Sequence, residues 1–223
     1  VLRSGRLTPV LLDVHRRLDD HWPPSGLLGK DREGDPIYWH RFGLASIDFL
    51  AEVPSEVLVR HEIFTATRIT QAIEEEACRQ GRPVMYMTVV ADIAGLSRKH
   101  LSLSGALKWK LCVRLCEDYY PEMVKRIIVV RTPRLFSTAW ASAKFFFDEG
   151  TRNKVQVADN RNTYETLVRY IDGGWIPQEL GGSFGFGGGC YAQPVIPSPE
   201  GPPSPALMRD LKATKAYLPQ HLH

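Results

Sequence analysis

Hydrophobic positions along this chain follow two different rhythms. In residues 55–80, SEVLVRHEIFTATRITQAIEEEACRQ, apolar and small residues recur at spacings of three and four. Val59, Ile63, Ala66, Thr70, Ile73 and Ala77 share one face, and the spacing predicts an amphipathic helix. Gly81 stands where such a helix ends. RPVMYMTVVADIAGL and KRIIVVRTP are near-continuous apolar runs instead, the pattern of strands buried on both faces. Two more strands are predicted at residues 36–42, after the turn-rich GKDREGD, and at residues 154–158, KVQVA.

Helices fill the gaps. SGALKWKLCVRLCEDYYPE is apolar except for a narrow stripe of Lys110, Arg114 and Glu117. NTYETLVRYIDGG begins with Asn162 as a capping residue and Glu165 three positions on. Residues 7–22 predict a short helix stopped by Pro23 and Pro24. Strand and helix alternate throughout, which predicts an α/β domain with a mostly parallel sheet and right-handed crossovers. From Gly181 the character changes: GGSFGFGGGC and PVIPSPEGPPSP read as a Gly/Pro-rich linker, with a short helix at 205–218.

Composition narrows the function classes. The 223 residues are 43% hydrophobic and carry a net charge of +3, enough for one sizeable core and too little charge for a nucleic-acid binder. The charge is uneven: residues 98–134 hold nine Lys or Arg against three acids, a segment suited to an anionic surface. Cys78, Cys112, Cys116 and Cys190 form no CxxC pair, and buried free thiols in a reducing, cytoplasmic compartment are expected. No apolar run reaches the length of a membrane span, and no signal peptide pattern opens the chain. Val1 stands in place of an initiator Met, as in a fragment.

Enzyme signatures are missing. There is no GxSxG elbow, and GLLGKD is too short for a phosphate-cradling loop. GFGGG follows a helix rather than a strand, and His61-Glu62 does not open an HExxH motif. No catalytic residue, metal set or cofactor is expected.

The densest apolar stretch is FSTAWASAKFFFDEGTRNK. On a helical wheel Phe136, Trp140 and Phe147 fall within about 40° of one another, Phe145 lies opposite and Phe146 between. One face of such a helix packs on the sheet; the surplus suits a lipid cavity, a bilayer surface or a partner. Thr151 and Lys154 follow at once, a hydroxyl and a cation able to donate to a phosphate oxygen.

DIAGLS, YYPEMVKRIIVVRTPRLFSTAWASAKFF, TRNKVQV and YIDGGWIPQELGG occur in this order, and DREGDPIYW precedes them. Together they resemble the CRAL-TRIO lipid-binding family, which includes phosphatidylinositol-transfer proteins and carriers of tocopherol and retinal. The resemblance covers roughly residues 22–182. It implies a mostly parallel sheet flanked by helices, with a mobile gating helix at residues 136–148 over an apolar lipid cavity. It also implies a division into residues 1–24, the remnant of an N-terminal helical lobe; residues 25–182, the lipid domain; and residues 183–223, the linker and last helix. Thr151 and Lys154 match the family's phosphate-holding Thr-x-x-Lys spacing, and Glu122 matches the Glu of its Tyr-Pro-Glu motif beside the inositol. Phe136, Trp140, Phe145, Phe146 and Phe147 correspond to gate and cavity lining. Asp92, Gly95, Gly181 and Gly182 read as structural turn residues.

The reading that follows is a non-enzymatic lipid carrier or sensor, cytoplasmic and peripheral to membranes. Its expected partners are a phospholipid, phosphatidylinositol foremost, and a transient membrane surface. A protein partner would act through the C-terminal tail or through a GOLD domain outside this chain. Two alternatives stand beside it: a regulatory or adaptor module that does not transfer lipid, and a carrier of a neutral ligand such as tocopherol, squalene or a retinoid.

Overall fold

The structure is a computed structural model that describes residues 25–119, 122–134 and 136–185. The helices predicted at 7–22 and 205–218 and most of the Gly/Pro linker lie outside the described residues.

Five strands form one mixed sheet in the order β1-β2-β3-β4-β5: β1 Ser25–Lys30, β2 Pro36–His40, β3 Met87–Asp92, β4 Val124–Val130 and β5 Val155–Val157. β2 to β5 are parallel, as expected for strands joined through helices. β1 is an addition to the sequence reading. It pairs antiparallel with β2 across the DREGD turn, with a register shift before Lys30.

The helices are α1 Ile47–Glu52, α2 Ser55–Gln80, α3 Leu103–Tyr119, α4 Phe136–Ala143, α5 Glu149–Asn153 and α6 Thr163–Val168. α2 ends at Gly81, whose φ of 63° is the left-handed conformation expected there. Asn162 does occupy the cap position of α6, but its side chain makes no capping bond. The turn is closed by Asp159, whose carboxylate accepts from the Arg161 amide at 2.8 Å. Among the described residues no helix is long and apolar enough to cross a membrane.

The strand pleat sends alternate residues to opposite faces, and the two faces are covered differently. On the first, Ile37, Trp39, Val90, Ile128 and Val130 meet Leu167, Ile171, Ile176 and Leu180 from α6 and the turns after it, and all are buried. On the second, Ile69, Ile73 and Ala77 of α2 cover Tyr38, Val89 and Val124 at one end. Phe42, Ile93, Leu96 and Phe136 meet Ala91, Ile127, Val129 and Val155 at the other. α1, α2 and α3 also hold a core of their own: Phe49, Leu50, Val53, Val57, Leu58 and Cys112 pack together apart from the sheet.

The DREGD turn is an ionic anchor. Asp31 accepts from the Glu33 and Asp35 amides and the Thr88 hydroxyl, and pairs with Lys125 at 2.7 Å. Met87 pairs with Val124 and Thr88 with Arg126, so Lys125 is the extra residue of a β-bulge, turned toward Asp31 and Asp35. Burial alone would raise the Asp31 carboxyl, but Lys125 and Thr88 hold it below its ordinary value. A second anchor closes the opposite ends of the strands. Asp92 ends β3, accepts from the Ala94 amide at 3.0 Å and forms a two-pronged pair with Arg131. Gly95 completes that turn at φ 93°, where a Cβ would meet the Gly43 carbonyl at 2.8 Å. Both DIAG residues are structural, as the sequence suggested.

Candidate functional site

The second face of the sheet, under α2, α3 and α4, meets Phe136 of the predicted gate. Tyr38 and His40 project to it from β2 because Ile37 and Trp39, their alternating neighbours, fill the opposite core. Tyr38, His40, Val89, Ala91, Ile127 and Val155 are only partly buried, although three helices lie over this face. At its edge Val157 is 44% exposed.

Trp109 of α3 and Phe42 line the same side. Their rings lie 4.4 Å apart, and both stack near His40, at 6.2 and 6.0 Å. Burial pushes the His40 imidazole down to about 4, so it is neutral at physiological pH. The sequence reading passed over His40. Its signal was the PIYWH alternation, which places Ile37 and Trp39 on one face and Tyr38 and His40 on the other.

The aromatic segment is less regular than the wheel supposed. α4 stops at Ala143, a 3-10 turn covers Lys144–Phe146, and α5 starts after Asp148. The grouping of side chains holds nonetheless. Phe136 stacks on Trp140 at 6.1 Å, and Trp140 meets Phe147 at 6.0 Å. Phe136 packs against the Ile93, Leu96 and Val129 patch. Phe145 faces away and is 72% exposed, in line with exposed Ser137 and Ala141. The Phe146 side chain lies outside what the structure describes.

The two ends of this segment are held unequally. At its start Arg131 has a φ of 52° and is fixed on Asp92, which is 1% exposed, with Glu179 3.7 Å away. Asn160 donates to the Thr132 carbonyl at 2.7 Å. At its far end the Asp148 amide donates to Glu117 of α3 at 3.1 Å, an exposed contact. Burial, and then the nearby Asp148 carboxylate, push the Glu117 carboxyl up from its ordinary value.

Thr151 and Lys154 sit on α5 and its C-cap, at the entry to β5. The Thr151 hydroxyl donates to Asp148 Oδ2 at 2.9 Å, and its amide donates to Oδ1 at 2.7 Å. Donation to a phosphate would require that hydroxyl to leave Asp148. Lys154 is half-buried, and its amine has no hydrogen bond or ion pair among the described residues. Glu122 is exposed at φ 64°, in the turn two residues before β4. No bond joins it to Thr151 or Lys154 among the described residues, nor to Lys125, which Asp31, Glu33 and Asp35 hold.

The basic stretch does not form one open surface. Lys99 pairs with Asp48, Lys108 donates to the Val53 carbonyl, Lys125 and Arg126 reach Glu33, and Arg131 is locked on Asp92. Arg98, Arg114 and Arg134 are exposed, as is Lys99 in its pair with Asp48. Of the thiols, Cys112 is buried as expected, whereas Cys78 is exposed on the last turn of α2. The Cys116 side chain and Cys190 lie outside the described residues.

The CRAL/TRIO domain profile matches residues 24–182. "Protein real-time" of Drosophila pseudoobscura pseudoobscura is 34% identical over 162 residues, 71% of this chain and 24% of that protein. A CRAL-TRIO domain-containing protein of Caenorhabditis elegans is 32% identical over 163 residues, 72% of this chain and 23% of that protein. The chain thus spans about a quarter of the length of these relatives. Among solved structures, the crystal structure of Sfh5 aligns with a TM-score of 0.42 at 20% identity, covering 71% of this chain and 60% of that one. By the profile match and the order of its motifs, this chain belongs to the CRAL-TRIO domain family, a family of non-enzymatic lipid-binding and lipid-transfer domains.

Proposed function

We propose that this chain binds one lipid between the second face of its sheet and the helical layer, takes phosphatidylinositol as a ligand, and exchanges it at membrane surfaces. The carrying observation is the incomplete burial of an apolar sheet face that already lies beneath three helices. A lipid chain laid there gains about 0.8 kcal/mol per buried methylene, so the tail supplies most of the affinity. Residues 136–147 act as the lid: one side aromatic toward the sheet, the other exposed and ending in Phe145. The lid pivots about the buried Arg131–Asp92 anchor and releases at the exposed Glu117–Asp148 contact.

Lys154 is the headgroup cation in this reading, since it is half-buried and has no partner among the described residues. Thr151 joins it when its hydroxyl turns from Asp148, and Glu122 stands at the inositol side. The test is binding of phosphatidylinositol and of squalene, each from vesicles. Lys154→Ala is expected to weaken phosphatidylinositol at least fivefold and to leave squalene within twofold. Equal loss of both would defeat the headgroup assignment.

A second reading, a carrier of a neutral lipid, draws support from one observation. The Thr151 hydroxyl is engaged by Asp148, so half of the phosphate clamp is occupied within the protein. Wild-type protein that takes squalene but ignores phosphatidylinositol would favour it.

A further inference from the structure

His40 is the polar group of the partly open sheet face, and its surroundings restrict what it can bind. Tyr38, Phe42 and Trp109 lie 6.0–6.2 Å from its ring, with planes tilted by only 21–28°. Stacked rings cover the faces of an imidazole and leave its edge, where both nitrogens lie, turned aside from them. Among the described residues neither nitrogen has a hydrogen-bond partner. Burial keeps the ring neutral, with one N–H donor and one bare acceptor. A half-buried donor–acceptor pair of this kind is complementary to an uncharged oxygen and is a poor match for a phosphate.

The position relative to Lys154 separates two ligand classes. His40 pairs with Ala91, Ala91 with Val129, and Val129 with Val157, so these four form one row across the parallel strands. Lys154 belongs three residues below that row and three strands away. That is about 10 Å along the strands and about 14 Å across them. In a phospholipid only a few bonds separate the phosphate from the ester carbonyls, so one headgroup spans this separation only if both side chains reach toward each other.

Resting on the cavity reading above, we propose that His40 selects a second class of ligand, lipids that carry an uncharged hydroxyl or carbonyl oxygen, by hydrogen bonding to that oxygen. Tail burial alone does not separate an alcohol from the matching hydrocarbon; an edge-on imidazole does, because filling its place with hydrocarbon leaves its donor and acceptor unpaired.

The experiment uses a matched pair, oleyl alcohol and 9-octadecene, competing with a fluorescent acyl probe for the wild-type chain and two variants. Wild type prefers the alcohol. His40→Phe keeps the stacked ring, lowers that preference about tenfold and leaves octadecene within twofold; His40→Gln restores part of the preference. An unchanged ratio in His40→Phe, or a parallel loss of both probes, overturns the assignment. Failure of wild type to take up either probe overturns the cavity reading along with it.

Discussion

The two faces of the sheet are made from the same strands, often from adjacent residues, yet they are finished differently. Ile128 and Val130 are sealed by α6 and the turns behind it, while Ile127, one residue away, stays partly accessible beneath α4. Trp39 is fully buried and donates from its indole to the Leu28 carbonyl at 3.1 Å; His40 beside it has only ring contacts among the described residues. The helices over the second face hold a core of their own through Phe49, Leu58 and Cys112, so they do not need to collapse onto the strands. The first face is sealed throughout, and the second, where the lipid is proposed to bind, is sealed only in part. The difference accompanies that separate core among α1, α2 and α3.

The sharpest way to break this comparison is a pair of truncations. Ile128→Ala should cost about 2–5 kcal/mol in denaturant unfolding, the usual range for a sealed core position. Ile127→Ala should cost about 1 kcal/mol or less and instead weaken lipid uptake, because part of its surface is already accessible. Equal costs would mean that both faces are ordinary core.

An intermediate effect belongs to pH. His40 is pushed from 6.5 to about 4 in the folded chain, so the unfolded chain binds the proton first as pH falls. Stability therefore drops from pH 6.5 to about 4 and then stops responding to this group, with a total loss of up to about 3 kcal/mol. His40→Phe should remove that part of the pH dependence in a chemical-denaturation series. The Asp31 carboxyl, held low by Lys125 and Thr88, gives a separate loss below its ordinary value of 3.8.

The smallest effect concerns the lid. Glu117→Ala removes the acceptor for the Asp148 amide and should speed lipid exchange between vesicles a few-fold at unchanged affinity. Glu117→Gln keeps an acceptor oxygen and should exchange like wild type. The raised Glu117 carboxyl acts opposite in sign to His40: the folded chain holds that proton more tightly, so its stability rises as pH falls toward 4.5, although the Asp148 amide contact itself favours the ionised carboxylate.

Sequence periodicity carried the long elements well. The three-and-four spacing of 55–80 became α2, and the apolar runs became β3 and β4, because long segments average over local exceptions. β1 was not legible. SGLLGK is short, contains Gly29 at positive φ, and is a strand by virtue of its pairing with β2. The break at Ala143 was hidden too, since three successive Phe residues satisfy any helical wheel, and Asp148 opens a new helix just beyond them. Thr151 and Lys154 were singled out through the family resemblance, which could not show that Asp148 takes the Thr151 hydroxyl. Nor could charge counting foresee that Lys125 and Arg131 are spent on buried carboxylates, because their acids lie 90 and 39 residues away.

The lipid site is tested most directly with a lipid bearing a diazirine midway along its acyl chain, irradiated after uptake and mapped by mass spectrometry. Saturable labelling, competed by unlabelled lipid, is expected on the second face and its cover, at residues such as Ile127, Val155, Trp109 and Phe136, and none on Trp39 or Ile128. Labelling confined to exposed positions such as Met85, or labelling that does not saturate, would contradict it.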